Sequence, residues 1–293
     1  MKIIAGPCQY ENIDISLEIA ETCRDICKNY SIDYIFKASF DKANRTSASG
    51  KRGTGLEECM DGFKIIRDQL DIKTTTDIHE TYQAELIKEQ VDIIQIPAFL
   101  SRQTDLIRSA VNAGKIVNIK KGQFMAPWDI NGILSKCSDA KEVWITERGV
   151  SFGYNNLVVD FTGMEYMIKN FDIPIIFDVT HSVQKPSLEE DSSGGDRELV
   201  PGLARAASAM GIDNFFFEVH PNPNESPSDG PNSIYLSKFE ELVDQIVEFN
   251  FSFPYSVSGL FEIMFSLFGL LFFPYSREEP IFINFFIFLL RKN

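Results

Sequence analysis

The chain has 293 residues, of which 44% are hydrophobic and 24% charged, enough for one large α/β barrel or two smaller domains, with a sizeable core. A formal net charge of −14 argues against nonspecific nucleic-acid binding, which depends on neutralising many phosphates. The five cysteines, Cys8, Cys23, Cys27, Cys59 and Cys137, are odd in number and include no CxxC pair, a pattern of reduced intracellular usage rather than a disulfide framework.

The opening residues, MKIIAGPC, enter a strand at once and leave no room for the apolar core of a signal peptide, so a cytoplasmic protein is expected. Further strands are predicted at 34–37, 73–76, 93–96, 117–119, 143–146, 175–178 and 215–218, after the first at 3–5. Amphipathic segments near 15–29, 56–70, 82–88, 104–113, 131–137, 163–169 and 198–210, with another from about 236, predict the intervening helices. This alternation is the pattern of a (β/α)8 TIM barrel, with a doubly wound open sheet as the alternative.

The reactive side chains favour the barrel. Nearly every predicted strand ends in one: Cys8, Lys37, Asp77 with His79, Gln95, Lys120, Arg148, Asp178 with His181, and Glu218 with His220. Closure would gather these ends on one face, whereas an open sheet would spread them along an edge.

The loop after the second strand, at 36–58, carries Lys37, Lys42, Arg45, Lys51 and Arg52 in an otherwise acidic chain, which reads as an anion site or a solvated basic loop. In VNIKKGQF, Lys120 and Lys121 are adjacent and must point to opposite faces, and the interior position is assigned to Lys120. A buried lysine needs an anionic partner, so a bound phosphate or carboxylate is expected there and, by the same logic, at Arg148. SSGGDR at 192–197, ahead of a helix, is a weaker candidate for anion binding and reads equally as a surface loop.

Cys8, His181, Glu218 and Asp229 form the candidate metal set. A thiolate, an imidazole and two carboxylates suit Fe2+, Zn2+, Mn2+ or Co2+ rather than Mg2+ or Ca2+. The bland reading is a core cysteine beside a satisfied histidine, and His79 and His220 are competing ligands or supporting groups.

From residue 249 the composition changes, and eleven of the 25 phenylalanines fall within 250–293. Neither of its apolar runs, at 257–273 and 281–290, cleanly reaches the ~20 residues of a spanning helix. The chain is therefore divided into a barrel at 1–248 and a Phe-rich extension at 249–293, read as an unusual barrel-completing helix with an added segment, a peripheral membrane or oligomer contact, or an aberrant terminus.

Taken together, GPCQYEN at 6–12, FKASFDKANRTS at 36–47, TDIHE at 76–80, QIPAFLSRQTDL at 95–106, VNIKKGQF at 117–124, TERGVSFGYNNLVVD at 146–160, FDVTHSVQ at 177–184, EVHPNP at 218–223 and SDGPNS at 228–233 closely resemble the 3-deoxy-D-manno-octulosonate-8-phosphate synthases. The resemblance covers 1–248 and implies condensation of phosphoenolpyruvate with D-arabinose 5-phosphate on the way to lipopolysaccharide. It implies that Lys37, Lys42, Gln95, Lys120 and Arg148 hold phosphoenolpyruvate, and that Asn44, Arg45 and Ser47 hold the sugar phosphate. It also implies that Lys42, Asn44, Asp77, Lys120 and His181 are the groups set against the reacting atoms. Arg102 would reach the sugar phosphate of a neighbouring subunit in a homotetramer or homodimer. Cysteine at position 8, rather than asparagine, implies the metal-dependent subclass, with His181, Glu218 and Asp229 as the other ligands. Related heptulosonate synthases typically carry KPRT where this chain has KANRT at 42–46, so the eight-carbon product is preferred. The departures are Ser49 and Lys51, which stand where the family pattern has a histidine and an aromatic residue, and the tail. A heptulosonate synthase and a non-catalytic, membrane-associated scaffold are the alternative functions.

Overall fold

The computed structural model describes residues 1–45, 47, 50–186 and 194–252. The departure at Ser49, the first two residues of SSGGDR and the tail from 253 lie outside the described residues. Eight parallel strands, β1 (Lys2–Gly6), β2 (Asp33–Lys37), β3 (Lys73–Asp77), β4 (Ile93–Ile96), β5 (Ile116–Lys120), β6 (Glu142–Glu147), β7 (Ile175–Asp178) and β8 (Asn214–His220), follow one another around the sheet. β8 pairs with β1 from Lys2↔Asn214 to Gly6↔Glu218, which closes the sheet and rules out the open, doubly wound arrangement.

Eight helices complete the βα units: α1 (Ile13–Asn29), α2 (Leu56–Leu70), α3 (Gln83–Ile87), α4 (Thr104–Asn112), α5 (Ile130–Leu134), α6 (Phe161–Asn170), α7 (Val200–Ala209) and α8 (Phe239–Ser252). Their starts follow local chemistry. Asn12 Oδ1 accepts the Ile15 amide at 2.9 Å at the head of α1, and Asp160 Oδ1 accepts the Gly163 amide at 3.0 Å at the head of α6. α8 continues through Ser252, past residue 248 where the composition changes.

The two-residue period of the strands sorts each side chain inward or outward. Ile4, Ile35, Ile93, Trp144, Ile176 and Phe216 point inward and fill the barrel as one apolar plug, against which Ile116 packs. The alternate positions, among them Ile3, Phe36, Ile94, Ile119, Phe177 and Phe217, face the helices and join the larger core. The plug fills the lower barrel, so the polar inward residues near the C-terminal ends of the strands lie above an apolar floor.

One glycine is required where β1 meets β2. A Cβ on Gly6 would come within 1.9 Å of the Lys37 carbonyl oxygen, so β1 and β2 can approach this closely only with no side chain at that position. The loops add short ribbons: Val150–Ser151 pairs with Leu157–Val158, and Gln184–Lys185 with Gly194–Gly195. Among the described residues no helix is long and apolar enough to cross a membrane.

Candidate active site at the strand ends

Asp178 ends β7 and organises what surrounds it. Its Oδ1 accepts the His181 amide at 3.0 Å and so starts the one-turn helix Val179–Ser182. Its Oδ2 receives His181 Nδ1 at 2.6 Å and is also paired with Lys120 Nζ. Burial opposes its ionisation, but the charges of His181, Lys120 and Arg148 hold its pKa below the carboxylate range. The ionised carboxylate accepts the Nδ1 proton, which turns His181 Nε2 toward Glu218 Oε1 at 3.3 Å and Asp229 Oδ2 at 3.8 Å.

Glu218, inward near the end of β8, is fully buried. Its Oε1 takes Lys37 Nζ at 3.3 Å, while its Oε2 has no hydrogen-bond partner among the described residues. Cys8, just beyond β1, directs its Sγ to Asp229 Oδ2 at 3.2 Å. One donor atom each from Cys8, Glu218 and Asp229 lie within 4.8 Å of one another, and His181 flanks the group. Asp229 adopts a left-handed backbone with φ of 51°, an uncommon conformation outside glycine that turns its carboxylate into the site. The donor set fits a borderline divalent metal: a soft sulfur, two hard oxygens, an oriented imidazole and an unpartnered carboxylate oxygen. Without such a charge, burial pushes the Cys8 thiol up, and Glu218 and Asp229 push it the same way, although Lys42 and Lys37 oppose them.

Beside this cluster opens a cavity of about 400 Å3, lined by Lys37, Lys42, Gln95, Lys120 and Arg148 among others. Lys37 and Lys120 occupy the ends of β2 and β5 and are buried, as is Arg148 just past β6. Lys120 Nζ lies 3.2 Å from the centroid of the Phe216 ring, and burial lowers its pKa to about 8, with Asp178 opposing the shift and Lys37 and Arg148 adding to it. Burial also disfavours the charge on half-buried Lys42, yet Cys8, Glu218, Asp77 and Asp229 together hold its pKa above the ordinary lysine value. Arg148 Nη2 donates to Gln184 Oε1 at 2.8 Å, and its Nη1 is buried without a partner among the described residues. A ladder from Thr146 to Asn118 at 2.7 Å and on to Gln95 at 3.4 Å crosses three strands and orients the Gln95 amide.

The sequence-predicted residues occupy three settings. Lys37, Lys42, Asn44, Arg45, Asp77 and Gln95 line the cavity, as do Lys120, Arg148, His181 and Asp229. Cys8 and Glu218 are buried in the adjoining cluster. Arg102 is exposed and away from this cavity, and Ser47 is half-buried in the loop after β2. Asp77 Oδ2 pairs with His79 Nε2 at 3.1 Å, while His220 Nε2 pairs with Glu11 Oε1 at 2.9 Å. Arg45 already has several partners: Nη1 donates to Ser228 Oγ at 2.9 Å, and Nη2 to Gln9 Oε1 at 3.0 Å and the Pro227 carbonyl at 3.1 Å.

Gln184 is a site residue that pattern reading passed over. Its amide accepts from Arg148 and donates to Asp229 Oδ1 at 2.9 Å, bridging the cation group and the metal-competent cluster. The signal lay in its position three residues after His181, at the end of the same short segment.

A closed parallel barrel with cations, carboxylates and a thiol converging at the C-terminal ends of its strands defines a (β/α)8 protein with a cation-lined cavity beside a metal-competent cluster. Residues 1–251 match the family model described as the DAHP synthetase I family, and the chain belongs to that family. A Rhodopseudomonas palustris protein named 2-dehydro-3-deoxyphosphooctonate aldolase is 50% identical over 252 residues, spanning 85% of this chain and 88% of the relative. Proteins of the same name from Cyanothece sp. and Bradyrhizobium diazoefficiens are 49% and 48% identical, spanning 84% and 85% of this chain and 90% and 89% of theirs.

Proposed function

We propose that this chain is a transferase that condenses phosphoenolpyruvate with D-arabinose 5-phosphate and water, giving 3-deoxy-D-manno-octulosonate 8-phosphate and inorganic phosphate. The observation that carries this reading is the set of buried cations, Lys37, Lys120 and Arg148, facing one cavity beside the thiol–carboxylate cluster. The relatives' name, which specifies an aldol-type reaction and an eight-carbon phosphorylated sugar acid, supports it. The product belongs to lipopolysaccharide precursor synthesis, and the cytoplasm is the compartment assigned to it.

Lys37, Lys42, Gln95, Lys120 and Arg148 hold the carboxylate and phosphate of phosphoenolpyruvate, and Asn44, Arg45 and Ser47 hold the sugar phosphate. Fixing both substrates brings C3 of the enol onto the sugar aldehyde, so much of the catalysis is positioning. The new C–C bond leaves C2 electron-poor; water adds there, and cleavage of the C2–O bond releases phosphate. Lys120, with a pKa of about 8, is protonated at neutral pH yet loses its proton more readily than an exposed lysine. Asp178 holds both Lys120 and His181 and so keeps the phosphate end in register with the cluster.

Cys8, His181, Glu218 and Asp229 would hold a divalent transition metal, Fe2+, Zn2+, Mn2+ or Co2+, with Asp77 and Lys42 nearby. Such an ion supplies Lewis-acid polarisation of an oxygen or lowers the pKa of a water. Arg102, exposed on the surface, is assigned to the sugar phosphate of a second copy in a homotetramer or homodimer. Residues 1–248 are assigned to catalysis and 249–293 to an extension. Phosphate release from phosphoenolpyruvate with D-arabinose 5-phosphate, compared with erythrose 4-phosphate, tests the reading, because the second acceptor would define a heptulosonate synthase.

A further inference from the structure

Behind the cavity lies a second pair of buried charges that the proposed mechanism does not use. Lys121 points outward from the barrel, opposite to Lys120, and its Nζ is 3.1 Å from Glu147 Oε2, with side-chain exposures of 1% and 3%. Neither side chain lines the cavity. A buried ion pair is costly to desolvate and is weak evidence of stabilisation by itself, so its other contacts point to its role.

Those contacts are directed at the backbone that carries the cavity's cations. Glu147 Oε1 accepts the amide of Arg148 at 3.0 Å and that of Gly149 at 2.7 Å, so the carboxylate clasps the turn that leaves β6. Gly149 has a φ of 88°, a left-handed conformation that a turn of this kind requires. On the other side, Lys121 Nζ donates to the Met125 carbonyl at 3.0 Å, tying down the loop after β5. The Lys121 amide donates to the Thr146 carbonyl at 2.7 Å, which keeps the two strand ends together. The pair thus binds the backbone immediately after Lys120 to the backbone immediately before Arg148.

We infer that Lys121 and Glu147 are positioning residues for phosphoenolpyruvate, fixing the spacing between the Lys120 ammonium and the Arg148 guanidinium from behind the strands. This rests on the reading that those two cations hold phosphoenolpyruvate. The essential element is the carboxylate's Oε1, which clasps two amides; Lys121 neutralises the buried charge and restrains Oε2.

Two double variants separate positioning from mere packing. K121M/E147Q removes both charges but keeps a carbonyl oxygen able to accept from Arg148 and Gly149. K121M/E147L removes the charges and the acceptor together. The expected result is a KM for phosphoenolpyruvate within about threefold of the unmodified protein for the glutamine variant and raised on the order of tenfold for the leucine variant, with the KM for the sugar phosphate unchanged in both. Equal KM values for phosphoenolpyruvate in the two folded double variants would overturn the inference. If the leucine variant does not fold, E147D substitutes for it: its shorter side chain keeps the charge but cannot clasp both amides and meet Lys121. E147D is expected to raise the same KM alone, and an unchanged value would again overturn the proposal. Failure of the unmodified protein to turn over phosphoenolpyruvate with either sugar phosphate refutes the underlying reading, and the inference with it, a result distinct from active variants that do not differ.

Discussion

Lys37 Nζ lies 3.3 Å from Glu218 Oε1 and 2.7 Å from the Cys8 carbonyl oxygen, so one buried ammonium joins the cavity-lining cations to the thiol–carboxylate cluster. The contact depends on closure, because β2 and β8 meet only through β1. Replacing Lys37 with Met leaves Glu218 buried with less compensation. A loss of about 3 kcal/mol in stability, measured by urea unfolding, is expected together with loss of turnover.

Lys120 gives the site a pH dependence with a definite sign. Its pKa in the folded protein is about 8, below the free-lysine value, because burial outweighs Asp178 while Lys37 and Arg148 add repulsion. An anionic substrate favours the protonated form, so binding takes up a proton above pH 8. The KM for phosphoenolpyruvate should be flat below about pH 8 and rise toward tenfold per unit above it. The K120M variant should bind weakly at all pH values and lack this break. For stability the sign is opposite: between the folded and free values the unfolded chain retains a proton that the native protein lacks, so this group's contribution rises with pH.

Cys8 separates a metal site from a buried thiol. With Co2+ added, the unmodified protein should show a thiolate-to-cobalt charge-transfer absorption that a chelator abolishes. The C8A variant should lack the band and the metal-restored activity while remaining folded. Full activity of C8A in excess chelator would contradict the assignment.

Arg45 reaches Gln9, Pro227 and Ser228 from the loop after β2, linking the proposed sugar-phosphate site to the residue that precedes Asp229. R45A should raise the KM for D-arabinose 5-phosphate by on the order of a hundredfold, with a much smaller change for phosphoenolpyruvate. Steady-state kinetics with each substrate varied in turn provides the check.

Gly6 tests the β1–β2 contact. In G6A the new methyl would meet the Lys37 carbonyl at 1.9 Å, and only displacement of β1 from β2 relieves the clash. Destabilisation of about 3 kcal/mol is expected from denaturant unfolding, larger than for an alanine at Gly132, where a Cβ meets nothing within 4 Å.

The barrel was legible because strand and helix periods alternate in the sequence and because nearly every strand ends in a functional group. The opposed directions of Lys120 and Lys121 follow from the strand period alone, and the structure has Lys120 inward on Asp178 and Lys121 outward on Glu147. Glu147 was only partly legible as a clasp: the amides it accepts, those of Arg148 and Gly149, are its sequence neighbours, but its pairing with Lys121 depends on the register between β5 and β6. Gln184 was hidden for a similar reason: the residues it bridges, Arg148 and Asp229, are far from it in sequence and meet only around the closed barrel. Gly6 falls within a quoted motif, but its need for a bare Cα arises from the approach of β2.

The most direct test of the proposed function is phosphate release by the full chain supplied with phosphoenolpyruvate and Mn2+ or Co2+, with D-arabinose 5-phosphate or erythrose 4-phosphate as acceptor, before and after chelation. The expected result is rapid release with the five-carbon sugar phosphate, little with the four-carbon one, and loss on chelation that the metal restores. Preferential turnover of erythrose 4-phosphate, or no metal-supported release with either acceptor, would contradict it.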